Sequence, residues 1–344
     1  MTPKDQDLAD AIISHSLDLS RLEAGIRKKV IRILAKMQKG LQGELAGGRP
    51  LTAWSKARID ALLEQIKPIV GDHFAQVSDE IDIPGIAGAT ATATGAAIGQ
   101  AFRGMLSPSL PTDTYLATLA SDMLIQGAPS AAWWDKQAAD TVFKFSAAVR
   151  QGLAAGETNQ QIISRVMGEM EVAKRNAAAL VQTSVQTVAN EARLATFRAN
   201  SDILNGVRQL SVLDGHTSAT CVAYSGAEWD LSGKPINGTR LPFNGGPPRH
   251  FNCRSALVGI TKTFRELGID IDEPAIGTRA SADGQIRADT TFAEFLDRKG
   301  KAFQDEVLGP GRAELWRKKV ITLNQLLDQR GNPLTLEELR KKYT

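Results

Sequence analysis

Leu22, Ile26, Val30, Ile33 and Met37 recur at intervals of three and four residues, which predicts one apolar stripe along a long helix. Gly47, Gly48 and Pro50 then break the period, and a second helix is expected from Thr52 to about Ile69. Residues 81–111 are rich in Ala, Thr and Gly and close on prolines. Small side chains suit a tightly packed helix, whereas glycine and threonine weaken helices and suit a hinge, and both readings stay open. Helical patterning resumes near Thr114 and again from Trp133 to Leu153, with the Trp133–Trp134 pair expected to anchor a core. Thr158 with Gln161 fits a capping box. It predicts a short helix Ile162–Met170 and then a long one over 172–199.

Past Gly206 the period changes to two. VRQLSVLDG alternates like a strand, and turn pairs follow closely at Asp214-Gly215, Ser225-Gly226, Ser232-Gly233, Asn237-Gly238 and Asn244-Gly245. A small loop-rich β module over about 206–260 is the reading. So short a module has little core of its own and would gain from a covalent or metal staple. The tail reads as short helices, headed by capping boxes at Thr291/Glu294, Thr322/Gln325 and Thr335/Glu338. The expected class is α+β, mainly helical with one small β module. The expected division is a helical region 1–155, a central domain 156–270 and a helical tail 271–344.

Composition narrows the function classes. A 344-residue chain with 42% hydrophobic and 23% charged residues can bury a core. A net charge of +3 excludes a globally cationic DNA binder and leaves local basic faces. The first helix carries one such face, with Arg27, Lys28, Lys29, Arg32 and Lys36 as candidate nucleic-acid contacts or simply as a solvated face. The tail adds Arg317-Lys318-Lys319 and Arg340-Lys341-Lys342. The N-terminal residues lack a basic-then-apolar leader, and residues 83–102 are too weakly apolar to span a bilayer, so a soluble chain made in the cytoplasm is expected.

Both cysteines of the chain fall inside the β module. His250 and Cys253 are spaced to meet one ion from a tight turn, and Cys221 could supply a third ligand. His216 or Asp214 would complete a tetrahedral zinc set. The position three after Cys221 is Tyr224, so no Cys-x-x-Cys half exists. Structural zinc, a Cys221–Cys253 disulfide, and two buried free thiols beside a hydrogen-bonded histidine are all open readings. Enzyme motifs are missing: no phosphate loop, dinucleotide fingerprint, His-Glu-x-x-His or Gly-x-Ser-x-Gly occurs. Glu169-Met170-Glu171 has the spacing of some ADP-ribosylating enzymes, and His250-Phe251-Asn252 beside a metal would suit a small nuclease. A charged helix face and a structural turn account for both.

The run from Val212 through Asp214-Gly215-His216-Thr217 to Cys221, then Gly226, Trp229-Asp230 and Pro247-Pro248-Arg249-His250-Phe251-Asn252-Cys253-Arg254, resembles the head-morphogenesis domain of tailed bacteriophages. That family includes the phage Mu F-like and SPP1 gp7-like minor head proteins. The helix ending Ala189-Asn190-Glu191-Ala192-Arg193 is similar to the helix that precedes the family's Cys/His module. The chain departs where relatives often carry Arg-Thr-Glu, having Gln182-Thr183-Ser184 instead. The resemblance covers about 150–260. It implies a minor capsid protein at the portal vertex or capsid interior of the virion, active in procapsid assembly, with effects on DNA packaging or ejection in some relatives, and the missing enzyme motifs add the expectation that it acts without turnover. The implied partners are the portal protein, the major capsid or scaffold protein, and genomic DNA, with no membrane. A DNA-binding virion accessory is the alternative, and a metal-dependent hydrolase or ADP-ribosylating enzyme is a third.

Overall fold

The first apolar stripe becomes helix α1, Pro3–Ala46, in a computed structural model that describes residues 2–46, 56–270, 272, 278–281, 283–287 and 289–344. Two compact units form, each from separate stretches of chain: residues 19–83 with 122–185, and residues 1–18 with 84–121 and 186–344.

The first unit is helical. Its buried stripe on α1 is Leu19, Ile26, Val30, Leu34, Met37, Leu41 and Leu45, while Leu22 is exposed. Ile26, Val30 and Met37 lie on the stripe as read and Ile33 is half-buried, while Leu22 falls outside it because Leu19 and the buried Glu23 occupy the inward side there. Helix α2 runs Lys56–Asp79, ten residues past the expected end at Ile69. The expected start at Thr52, and the break at Gly47, Gly48 and Pro50, lie outside the described residues. Pro68 costs an interior helix bond, yet Ile66, Val70, Phe74 and Val77 continue one buried stripe across it. Burial of several large side chains at about 2 kcal/mol each outweighs the proline penalty of about 3 kcal/mol. Helix α5, which follows α4 (Asp113–Asp122) of the other unit, spans Ser130–Ala154 and buries Trp134 against Phe74, with ring centroids 6.4 Å apart. Trp133 instead hydrogen-bonds the Ile125 carbonyl through its indole nitrogen at 2.5 Å.

The small-residue stretch resolves as helix α3, Ile83–Ala101, with Ala87, Ala91, Thr94 and Ile98 buried. It is packed, and the hinge reading is set aside. Helix α6, Asn159–Ala199, is continuous where two helices were expected. The reason is that Glu169-Met170-Glu171 contains no breaker, and nothing crowds Gly168. The Thr158/Gln161 box heads it, with backbone-to-side-chain bonds of 2.8 and 3.3 Å.

In the second unit, strand β1 (Leu204–Leu210) lies between β2 (Glu228–Trp229) and β3 (Ala256–Thr261), all antiparallel, in the order β2-β1-β3. Register pairs Val207 with Trp229 on one side and with Gly259 on the other. Helix α7, Ala219–Tyr224, interrupts the module between β1 and β2. The outer edge of β3 is covered: the Leu257 amide donates to Asn190 Oδ1 of α6 at 3.0 Å, and the Thr261 amide donates to Asp5 Oδ1 of α1 at 2.7 Å. An unpaired sheet edge is thus closed by two helices. The tail is not purely helical. A hairpin of β4, Thr278–Ser281, and β5, Gly284–Arg287, precedes α8 (Phe292–Asp297), α9 (Lys301–Leu308), α10 (Pro310–Arg317), a 3-10 turn at Leu323–Leu326 and α11 (Leu336–Tyr343). The three tail capping boxes form, that of Thr322 on the 3-10 turn. Phe292, Phe295, Leu308, Leu323 and Leu326 join one apolar cluster with Val207, Val222, Trp229 and Leu257. The class is α+β and mainly helical. No described helix is long and apolar enough to cross a membrane.

A buried Cys-His-Cys cluster in the β module

Ser218 caps the first turn of α7 by accepting a hydrogen bond from the Cys221 amide at 3.2 Å, which fixes Cys221 on the inward side of that turn. The loop carrying His250 and Cys253 approaches from the other side. It begins with Pro247-Pro248, joined by a cis bond, and closes on a hydrogen bond from the Cys253 amide to the His250 carbonyl at 3.2 Å. Asn252 adopts φ 61°, a left-handed conformation that asparagine tolerates well.

These elements bring Cys221, His250 and Cys253 together, as the spacing suggested. The two Sγ atoms are 3.5 Å apart as free thiols, and Cys221 Sγ is 3.3 Å from His250 Nε2. All three potential ligand atoms lie within 4.8 Å of one another. His250 Nδ1 donates to the Phe251 carbonyl at 2.8 Å, which leaves Nε2 as the acceptor nitrogen, 2.8 Å from Ser218 Oγ. Both sulfurs are buried, whereas His250 is partly exposed. The thiol of Cys253 hydrogen-bonds Cys221 and draws the Cys221 thiol down to about 6, against the effect of burial and with help from Ser255, Ser218 and the charge of Arg249. The Cys253 thiol is pushed well up by the same contact and by burial. The pair therefore favours a single shared negative charge.

The surroundings are tied to this cluster. Ser211 Oγ, at the end of β1, donates to the Cys221 carbonyl at 2.8 Å and contacts Ser255 Oγ at 3.0 Å. Arg249 stacks over Tyr224 at 3.8 Å and donates to Gln209 Oε1 and the Phe243 carbonyl. Tyr224 supplies no ligand at the place of an absent cysteine, since its hydroxyl donates to the Pro242 carbonyl. Trp229 anchors the same wall through Nε1 to the Leu241 carbonyl at 2.9 Å.

His216 and Asp214 do not complete the set. His216 lines a small cavity of about 10 Å³ beside Ser218, Cys221 and His250, but it is outside the three-residue ligand group found among the described residues. The Asp214 carboxylate is committed to Arg254, with two 2.8 Å bonds, and to the His216 amide and Thr217 hydroxyl. Burial opposes its charge, but the Arg254 contacts outweigh this and hold its carboxyl below the usual aspartate range.

The basic helix face divides. Arg27 pairs with Glu23 at 3.1 Å and Lys29 with Glu80 at 2.9 Å. Lys28, Arg32 and Lys36 are exposed at intervals of four, a single ridge of α1. In the tail, Arg317 bonds Asp305 at 2.8 Å and Lys318 bonds Glu314 at 2.6 Å. Glu169 and Glu171 face Lys144 and Lys174 as ordinary surface pairs. Two residues that pattern reading passed over are Asn190 and Asp5, which close the β3 edge. No pattern singled out Asn190, which sits among the buried polar residues Gln186, Thr187 and Arg193 of α6.

Residues 144–258 match the family model described as phage Mu protein F like protein. The match spans about a third of the chain, from within α5 to β3, and includes all three members of the cluster. No curated protein and no solved structure gave a match to this chain. Over that third of the chain, the resemblance to the phage head-morphogenesis family holds.

Proposed function

We propose that this chain is a minor head protein of a tailed phage, docked at the portal vertex during procapsid assembly and retained in the virion. The phage Mu F-like segment carries the reading. Its partners would be the portal protein and the major capsid or scaffold protein, encountered in the host cytoplasm. The protein would act by binding and not by turnover. At the Cys-His-Cys cluster two features accord with that: the sulfurs of Cys221 and Cys253 are buried, and the cavity beside them, about 10 Å³, has room for a water but for no organic substrate. Co-expression with the portal protein of the same phage genome tests the reading. A complex that survives size-exclusion chromatography at physiological salt is expected, and complete separation of the two would count against portal docking.

A second reading, contact with packaged DNA, draws on the exposed ridge of Lys28, Arg32 and Lys36. Phosphate contacts release counterions, so affinity should fall steeply with salt. Replacing Lys28 and Lys36 with glutamine should lower the slope of log affinity against log salt by about 2, near one for each lysine removed. An unchanged slope would remove this helix from any DNA interface.

A further inference from the structure

We propose that Cys221, Cys253 and His250 bind one zinc-like divalent cation through three protein ligands, with the fourth corner left to a water in the adjoining cavity. This site is independent of the head-protein reading.

Geometry carries the argument. Tetrahedral zinc, with Zn–S of about 2.3 Å and Zn–N of about 2.0 Å, holds its sulfur ligands about 3.8 Å apart and its sulfur and nitrogen ligands about 3.5 Å apart. The observed edges are 3.5 Å between sulfurs and 3.3 Å from Cys221 Sγ to His250 Nε2. Those two edges need to open by only a few tenths of an ångström, while the third, from Cys253 Sγ to the imidazole, lies within 4.8 Å and must come to about 3.5 Å. The histidine is already in the ligating tautomer. Its Nδ1–H is held by the Phe251 carbonyl, an outer-shell contact of the kind that orients metal-bound imidazoles, so the lone pair is on Nε2, where an ion would displace the Ser218 hydroxyl now 2.8 Å away. The donor set of two thiols and an imidazole suits zinc among common divalent ions. Bound as thiolates, with any proton they carry released to solvent, the two sulfurs would neutralise the dication within a buried setting.

The fourth corner distinguishes this site from the closed one that His216 or Asp214 would have made. Asp214 is held by Arg254, and His216 stands outside the group. Ser218 Oγ, 2.8 Å from His250 Nε2, and the cavity of about 10 Å³ adjoin that corner. This is room for about one water. The ion would tie α7 to the 247–255 loop, joining two parts of a module whose strands are short.

The full chain, purified with reductant and without chelator, is titrated with cobalt(II). One equivalent should give thiolate-to-cobalt charge-transfer absorption and the strong visible bands of a tetrahedral centre, and one equivalent of zinc should abolish both. Cys253→Ser and His250→Gln should each weaken cobalt binding at least tenfold, while Ser218→Ala should keep one ion per chain. Added thiocyanate should shift the visible bands, since one corner is exchangeable. Because the ligand variants can fail to fold, the wild-type titration decides. No charge-transfer band at saturating cobalt, or a Cys221–Cys253 disulfide recovered from the reduced preparation, would overturn the site. Cobalt bands insensitive to thiocyanate would overturn the open corner.

Discussion

Arg193 is fully buried, donating to Ser16 Oγ at 2.9 Å and weakly to Asn190, while its Nε has no partner among the described residues. Burial pushes its guanidinium down to about 10. The folded chain thus disfavours the charged form relative to the unfolded one, at a cost on the order of a few kcal/mol. That cost is complete at neutral pH and fades only as pH rises from about 10 towards the unfolded value. Arg193→Met, which keeps the apolar stem, should raise the urea midpoint or leave stability within about 1 kcal/mol. A loss beyond about 2 kcal/mol would show that its two hydrogen bonds outweigh desolvation. Asp214 behaves oppositely. Its carboxyl is held below the ordinary range, so its pairing with Arg254 adds stability above about pH 4 that is lost as pH falls through the lowered value. Arg254 is 39% exposed, and screening limits the pair to about 1 kcal/mol. Asp214→Asn should cost that much at pH 7 and nothing once the wild-type carboxyl is protonated, as thermal melts at the two pH values would register. At Gly206, an added Cβ would run into the carbonyl of Trp229 and lie 3.1 Å from Asp230 Cα, both backbone atoms that cannot turn aside. Gly206→Ala should therefore destabilise by about 2 kcal/mol or more, measured by chemical denaturation.

At the scale of elements, what could be read in advance depended on whether a side chain's role was local. Capping boxes need only residues three apart, and all four form. The convergence of Cys221 with His250 and Cys253 was also legible, because a proline-stiffened turn and a short module leave few places for them. Local reading failed where burial overrode propensity. The end of α2 expected near Ile69 is passed, because the buried stripe through Val70, Phe74 and Val77 carries the helix on to Asp79 despite Pro68. From residue 183 to 197 nearly every position of α6 is buried, including Thr183, Ser184, Asn190 and Arg193, so no amphipathic period marks that stretch. The β4–β5 hairpin had only short polar strands and no apolar alternation to announce it. The edge of β3 illustrates the same limit, for its closure by Asp5 links residues 256 positions apart. Asp5→Ala would leave the buried Thr261 amide and hydroxyl without that acceptor. A loss of about 1–3 kcal/mol is expected, with faster hydrogen exchange at the Thr261 amide. Unchanged exchange there would mean that α1 does not close the strand edge.

For the whole molecule, the sequence segment that names a family and the residues that form a chemical cluster coincide: residues 144–258 contain Cys221, His250 and Cys253. Under the proposed role, a tie between α7 and the 247–255 loop would stiffen the surfaces offered to a portal or shell, and a net charge of +3 would leave any DNA contact to the exposed ridge of α1. The central claim is membership in the phage head, and the protein content of purified heads tests it most directly. Procapsids and mature heads assembled from the genome that encodes this chain, separated by gradient centrifugation and quantified by mass spectrometry, should contain it at a few copies per particle, far below the major capsid protein. The His250→Ala form should be depleted from those heads as its module loosens. If the wild-type chain is absent from heads while particles assemble and package normally, the head-protein account is contradicted.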